Sequence, residues 1–216
     1  MNPEAIAQYL RDHPEFLVEH SDVFVDVTVP HPHGGQAITL AERQLHTLRA
    51  KIRQLEAKFA ELIRYGEEND EISTKLHRLT IELVSAEELA SFQEALLRSL
   101  HEDFSVPHAT LRVWNTVVTP DGEAGAPTSE EMRFEVADMR HPYCGKPVNE
   151  EVLEWFGETS SRLRSLALVP LRHQGQVLGL LALASEENER FYADMGTLYL
   201  ERLGETIAAG VRRLLG

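Results

Sequence analysis

Residues 36–85 read QAITLAERQLHTLRAKIRQLEAKFAELIRYGEENDEISTKLHRLTIELVS, a run without proline. Leu45, Leu48, Ile52, Leu55, Phe59 and Leu62 recur at alternating steps of three and four. On a helix that spacing lines up one apolar seam and leaves Arg49, Lys51, Arg53, Glu56, Lys58 and Glu61 for the other faces. A seam so narrow suits a partner helix better than a broad globular core. It also lasts longer than the pattern of an average globular helix. The six residues are therefore expected to form the dimerisation surface of a coiled-coil-like helix in a homodimer. A surface helix packed on its own domain is the alternative.

The seam changes phase at Leu62–Tyr65, where an extra step of three intervenes before Asn69, Ile72, Leu76, Leu79 and Leu83 resume the alternation. Such an insertion disturbs supercoiling locally, and Gly66 weakens the helix interior beside it. The acidic cluster 67–71 reads as a solvated face.

Toward the start, Asn2-Pro3-Glu4 supplies a capping residue, a first-turn proline and an early acid, so a short helix is expected to about Leu10. His13-Pro14 restarts a second one anchored by Phe16 and Leu17. This helical cap is too small to stand alone. The alternation of Val23, Val25, Val27 and Val29 predicts a short extended segment, stopped by Pro30-His31-Pro32-His33-Gly34-Gly35. Two histidines without an acidic or cysteine ligand at a recognisable spacing point to a turn rather than a metal site.

Toward the end, Ser85 is expected to cap a helix packed through Leu89, Phe92, Leu96, Leu97 and Leu100. Residues 109–114 form a strong strand candidate, with Thr110, Arg112 and Trp114 on one side and Leu111 and Val113 on the other. Residues 119–131 read as an exposed loop and residues 132–136 as another strand. Residues 138–145 bring the chain to a turn, and Asn149 caps a short helix with Val152, Leu153, Trp155 and Phe156. The clearest sheet signal is a hairpin: residues 165–170, a turn at 172–175, and residues 176–185 as a buried second strand. From Glu189 a closing helix is expected through Val211, packed by Phe191, Met195, Leu198, Tyr199, Leu203 and Ile207.

The chain has 216 residues, enough for one or two domains, and 43% are hydrophobic, enough for a core. With 35 acidic against 21 basic residues its formal charge is −14. Its average field repels phosphate backbones and anionic bilayers, so neither nucleic acid nor membrane is an expected partner. No run approaches the roughly 20 apolar residues of a spanning helix, and the first residues lack the pattern of a signal peptide. Cys144 is the single cysteine and forms no intrachain disulfide framework. A reducing, cytoplasmic compartment is the expectation.

Three groups of residues, taken together, resemble a known family. They are His13-Pro14-Glu15-Phe16-Leu17; Val29-Pro30-His31 with Gly34-Gly35 and Leu40-Ala41-Glu42-Arg43-Gln44; and residues 165–171 followed by 179–183 and by Phe191 with residues 196–204. Their joint occurrence resembles the bacterial domain-of-unknown-function family 484, whose members look like GAF sensory domains. The resemblance spans essentially the whole chain and implies an α+β architecture. In it, an N-terminal helical region and long coiled-coil-like helix precede a GAF-like antiparallel sheet domain flanked by helices. Residues 1–35 are then the cap and turn, 36–84 the dimerisation arm, and 85–216 the GAF-like domain. No family activity transfers onto named residues.

For a ligand site, Arg140 suits an anionic group and His141 a hydrogen bond, while Trp114, Tyr143 and Trp155 offer aromatic walls. The loop around Arg140 equally suits a structural ion pair, and the aromatics equally suit a core. Cys144 is an ordinary buried or turn cysteine in the first instance, with redox sensing or ligand contact as the alternative. Gly175 and Gly179 lack the lysine and hydroxyl residue of a phosphate loop and fit a hairpin. No catalytic residues, metal ligands or identifiable cofactor emerge. The expected function is a noncatalytic sensory or regulatory module, which binds a small ligand or a protein partner and couples it to a helical dimer. A structural interaction module without a small-molecule ligand is the alternative.

Overall fold

The computed structural model describes residues 2–23, 28–29, 38–114 and 122–215. The expected turn at 30–35, residues 24–27 of the expected strand and residues 119–121 of the loop lie outside them. Contacts divide the chain into two units, Met1–Glu67 and Glu68–Gly216.

In the first unit, α1 (Pro3–Asp12) begins where Asn2 Oδ1 accepts the Glu4 amide hydrogen bond at 3.2 Å. Helix α2 (Glu15–Glu19) follows; the Tyr9 ring meets those of His13 and Phe16, and Phe16 meets His20, in tilted or edge-on contacts, yet neither helix buries a residue. Two-residue strands β1 (Thr28–Val29) and β2 (Ile38–Thr39) pair antiparallel. That pairing takes residues 38–39 out of the expected helix, which starts at residue 40 rather than 36, as α3 (Leu40–Ser85).

The three-and-four apolar spacing runs on either side of the phase change in α3, but the two parts differ in burial. Leu45, Leu48, Ile52, Leu55, Phe59 and Leu62 are 47–66% exposed, whereas Leu79 and Leu83 are 1% exposed. The apolar stripe before the phase change therefore meets solvent, and the one after it becomes core at the helix end. Ser85 is the last residue of α3, its hydroxyl donating to the Ile81 carbonyl at 2.9 Å. It does not cap the next helix, since α4 (Leu89–Glu102) begins after Glu88.

The second unit is built on a four-stranded antiparallel sheet of order β3–β6–β5–β4, formed by β3 (His108–Val113), β4 (Tyr143–Gly145), β5 (Ser165–His173) and β6 (Gln176–Ser185). The expected hairpin is present, with β5 and β6 central and almost fully buried. Its turn holds Gln174 at φ +47° and Gly175 at φ +83°. Left-handed values at both positions suit the twist of a two-residue hairpin but penalise a glutamine. Gln174→Asn is expected to raise unfolding free energy by about 0.5–1 kcal/mol in urea titration; an unchanged midpoint would contradict this account of the turn.

One sheet face, through Leu111, Val113, Ala167, Val169, Leu181 and Leu183, packs on the end of α3, on α4 and on α7 (Leu198–Leu215). The closing helix starts at Leu198, not near Glu189, because residues 188–197 form turns. Phe191 is nonetheless buried and Met195 packs against the same cluster without helix, whereas Leu198, expected in the packing face, is 53% exposed. The other face, through Leu166, Leu168, Leu180 and Ala182, is covered by α5 (Glu130–Asp138) and α6 (Glu150–Glu154).

Residues 132–136, expected as a strand, are helix α5. Met132 and Val136 are buried four positions apart, while Phe134 between them is 75% exposed, as helical periodicity demands. Ser129 Oγ accepts from the Met132 amide at 3.1 Å and two acids occupy the first turn. Asn149 caps α6 as expected, accepting from Val152 N at 3.1 Å.

Candidate ligand site on the sheet

Alternation along β3 delivers Thr110, Arg112 and Trp114 to one side, and all three are buried. Arg112 Nη1 donates to Thr110 Oγ1 at 3.1 Å, and its guanidinium carbon lies 5.1 Å from the centre of the Trp155 ring. An arginine at 7% exposure is costly to desolvate, and the face of Trp155 offsets part of that cost.

Beside Trp114 opens a cavity of about 430 Å³, lined by Trp114, Glu130, Arg133, Phe134, Ala137, Arg172, Gly175 and Val177. Arg133, on the first turns of α5, lies 5.9 Å over the Trp114 ring. Arg172, at the end of β5, donates through Nη2 to the carbonyls of Val136, Ala137 and Met139 at 3.2, 2.6 and 2.5 Å. It thereby closes the carbonyl end of α5, where a cation also meets the negative pole of the helix. At the other end, Glu151 accepts from both the amide and the hydroxyl of Ser129, tying α5 to α6. The cavity thus has an indole wall, two guanidinium groups and one carboxylate on elements fixed at both ends. That arrangement suits a small planar or anionic molecule.

The six residues singled out from sequence separate. Trp114, Tyr143 and Trp155 belong to the same apolar cluster on this face, and Trp114 alone of them lines the cavity. Tyr143 donates its hydroxyl to the Lys146 carbonyl at 2.8 Å. Cys144, the next residue along β4, points to the opposite face and joins the cluster there. Arg140 and His141 are exposed. His141 Nδ1 lies 3.0 Å from Glu201 Oε1. That contact, then the Thr197 hydroxyl, holds the Glu201 carboxyl below the usual carboxylate range.

Burial pushes the Cys144 thiol pKa up, away from the value of an attacking thiolate. Cys144 is expected to react with Ellman's reagent about tenfold or more slowly in the native protein than in urea; equal rates would restore an accessible, activated thiol. Sequence reasoning passed over Arg112, Arg133 and Arg172. Arg112 did carry a signal, a charge held between Thr110 and Trp114 on one strand side. Arg172 carried none, because its acceptors lie 33–36 positions away.

The pattern of the family described as "Protein of unknown function, DUF484" matches residues 1–215. The chain is 26% identical over 218 residues to a Salmonella typhimurium (strain LT2) protein titled "Uncharacterized protein YigA", a match covering 94% of this chain and 88% of that one. Among solved structures it is similar to the GAF domain of A. aeolicus nlh2 in an inactive state. That match has a TM-score of 0.37 and 15% identity, and it covers 65% of this chain and 91% of the other. Among the described residues, no helix is long and apolar enough to cross a membrane.

Proposed function

The chain belongs to the DUF484 family, and on that premise we propose that it is a noncatalytic sensory or regulatory module of GAF-like type. In this reading the Trp114 cavity takes a small ligand, and the seam of α3 joins two copies of the chain. The observation that carries it is the change in fate along α3. The seam from Leu45 to Leu62 is half-exposed or more, and the last turns of the same helix supply Leu79 and Leu83 to the sheet core. Arg213 Nη2 adds bonds to the carbonyls of Leu83 and Ala86 at 3.2 and 2.5 Å, and Arg98 pairs with Glu82 at 3.2 Å. An element rooted in the sheet core, with an apolar stripe left exposed among the described residues, is suited to link ligand state with self-association.

Coupling requires that the ligand bind the two association states with different affinity, and the linkage is reciprocal. A ligand-detected NMR screen on the whole chain supplies a binder. Sedimentation then compares the dimer constant with and without it. The expected result is a species of about twice 24.4 kDa whose dissociation constant shifts by roughly 5- to 150-fold at ligand saturation. A dimer constant untouched by a saturating binder removes the coupling and favours a structural interaction module. A chain that stays monomeric removes the coupled dimer and leaves a structural interaction module that binds a different protein.

A further inference from the structure

A second cavity, of about 330 Å³, lies on the opposite face of the sheet. Its walls are apolar, formed chiefly by Ile72 and Leu76 of α3, Leu100 of α4, Met195, and Leu200 and Leu203 of α7. Its size falls at the low end of the roughly 300–1,000 Å³ typical of small-molecule sites. Three charged side chains also line it: Arg190, Lys75 and Asp103. Two of the three are cations, in a chain of net charge −14.

The three differ in how far their bonding capacity is used. Asp103 Oδ2 already accepts from the Ser99 hydroxyl at 2.8 Å. Lys75 Nζ pairs with Glu71 at 2.7 Å and keeps two further N–H donors in principle. Arg190 donates through Nη2 to the Phe104 carbonyl and sits 5.8 Å over the Phe191 ring, but its buried Nε has no hydrogen-bond partner among the described residues. A buried donor left unsatisfied is destabilising, and a shift of the Arg190 side chain toward the cavity it lines would let an anionic acceptor there relieve it with a charge-assisted bond.

We propose that this cavity binds a free medium-chain carboxylate, its apolar tail between α3 and α7 and its head group on Arg190 with Lys75 beside it. The proposal is independent of the Trp114 cavity, because it uses the other face of the sheet and different residues.

The test uses the full chain labelled with ¹³C at its methionine methyl groups. Met195 lines this cavity, whereas Met132 and Met139 pack on the far side of the sheet, so the spectrum reports which face is occupied. Titration with decanoate below its aggregation range is expected to shift Met195 saturably and leave Met132 and Met139 in place. Decanol is expected to bind about tenfold or more weakly, equivalent to ~1.4 kcal/mol, and decyltrimethylammonium not to compete. Arg190→Gln should erase most of the difference between decanoate and decanol. If that variant does not fold, the three-ligand comparison on the native chain decides. An unmoved Met195, a shift confined to Met132 and Met139, or equal binding of all three ligands overturns the proposal.

Discussion

Gly179→Ala is expected to lower the unfolding free energy by about 3 kcal/mol, the upper part of the range for overpacked cores. Gly179 lies on β6 where it faces the edge strand β3, paired with Val113. A Cβ built there falls 2.2 Å from the Arg112 carbonyl oxygen and 3.1 Å from Val113 Cα. Both are backbone atoms of the neighbouring strand, so no side-chain rotation relieves the clash. Relief requires β3 to move, and β3 carries Thr110, Arg112 and Trp114 to the candidate site. The same variant should therefore weaken binding at the Trp114 cavity in proportion to its loss of strand order.

Gly66→Ala is the opposing control, because an added Cβ meets no atom within 4 Å there. Alanine in a helix interior is favoured over glycine, and a gain of about 0.5–1 kcal/mol is expected. Urea denaturation read by tryptophan fluorescence and circular dichroism separates the two. An unchanged midpoint for Gly179→Ala would mean that β3 and β6 approach less closely than described.

Leu48→Glu combined with Leu55→Glu is expected to convert the proposed dimer into a monomer. Full burial of a leucine side chain contributes about 1.5–3 kcal/mol. In a twofold-symmetric dimer each substitution acts twice. Losing two such residues weakens association by roughly four decades or more, at 1.4 kcal/mol per decade. Both side chains are exposed in the single chain, at 57% each, so the sheet unit should unfold at an unchanged urea concentration. Sedimentation reads the mass, and tryptophan fluorescence reads the sheet unit, since Trp114 and Trp155 both pack in the apolar cluster on one face of the sheet. A dimer that survives the double substitution assigns self-association to another surface. A sheet transition that moves as well would show that the seam packs on its own chain.

Much of this molecule is legible in its residue pattern because the relevant interactions are local. The step of three and four in residues 45–62 specifies a helix with one apolar stripe, and period-two alternation through residues 109–114 specifies which side chains share a sheet face. Asn2 and Asn149 announce helix starts because their side chains bond amides two or three positions on. The residues at 172–175 announce a hairpin because few backbones accept left-handed values.

Other features depended on which surface came to lie against which. Met132-Arg133-Phe134-Glu135-Val136 fits both a strand and a helix in isolation, and only the covering of Met132 and Val136, with Phe134 left outside, selects the helix. The stripe on α3 keeps one spacing from Leu76 to Leu83, yet only packing against the sheet turns its end into core. The arginines that finish helices and loops find carbonyls far along the chain, 36 positions away for Arg172, 86 for Arg190 and 127 for Arg213. Local periodicity defines an element and its apolar face. The partner of that face is a non-local choice, set by shape and by which buried polar groups the assembled fold leaves to be satisfied.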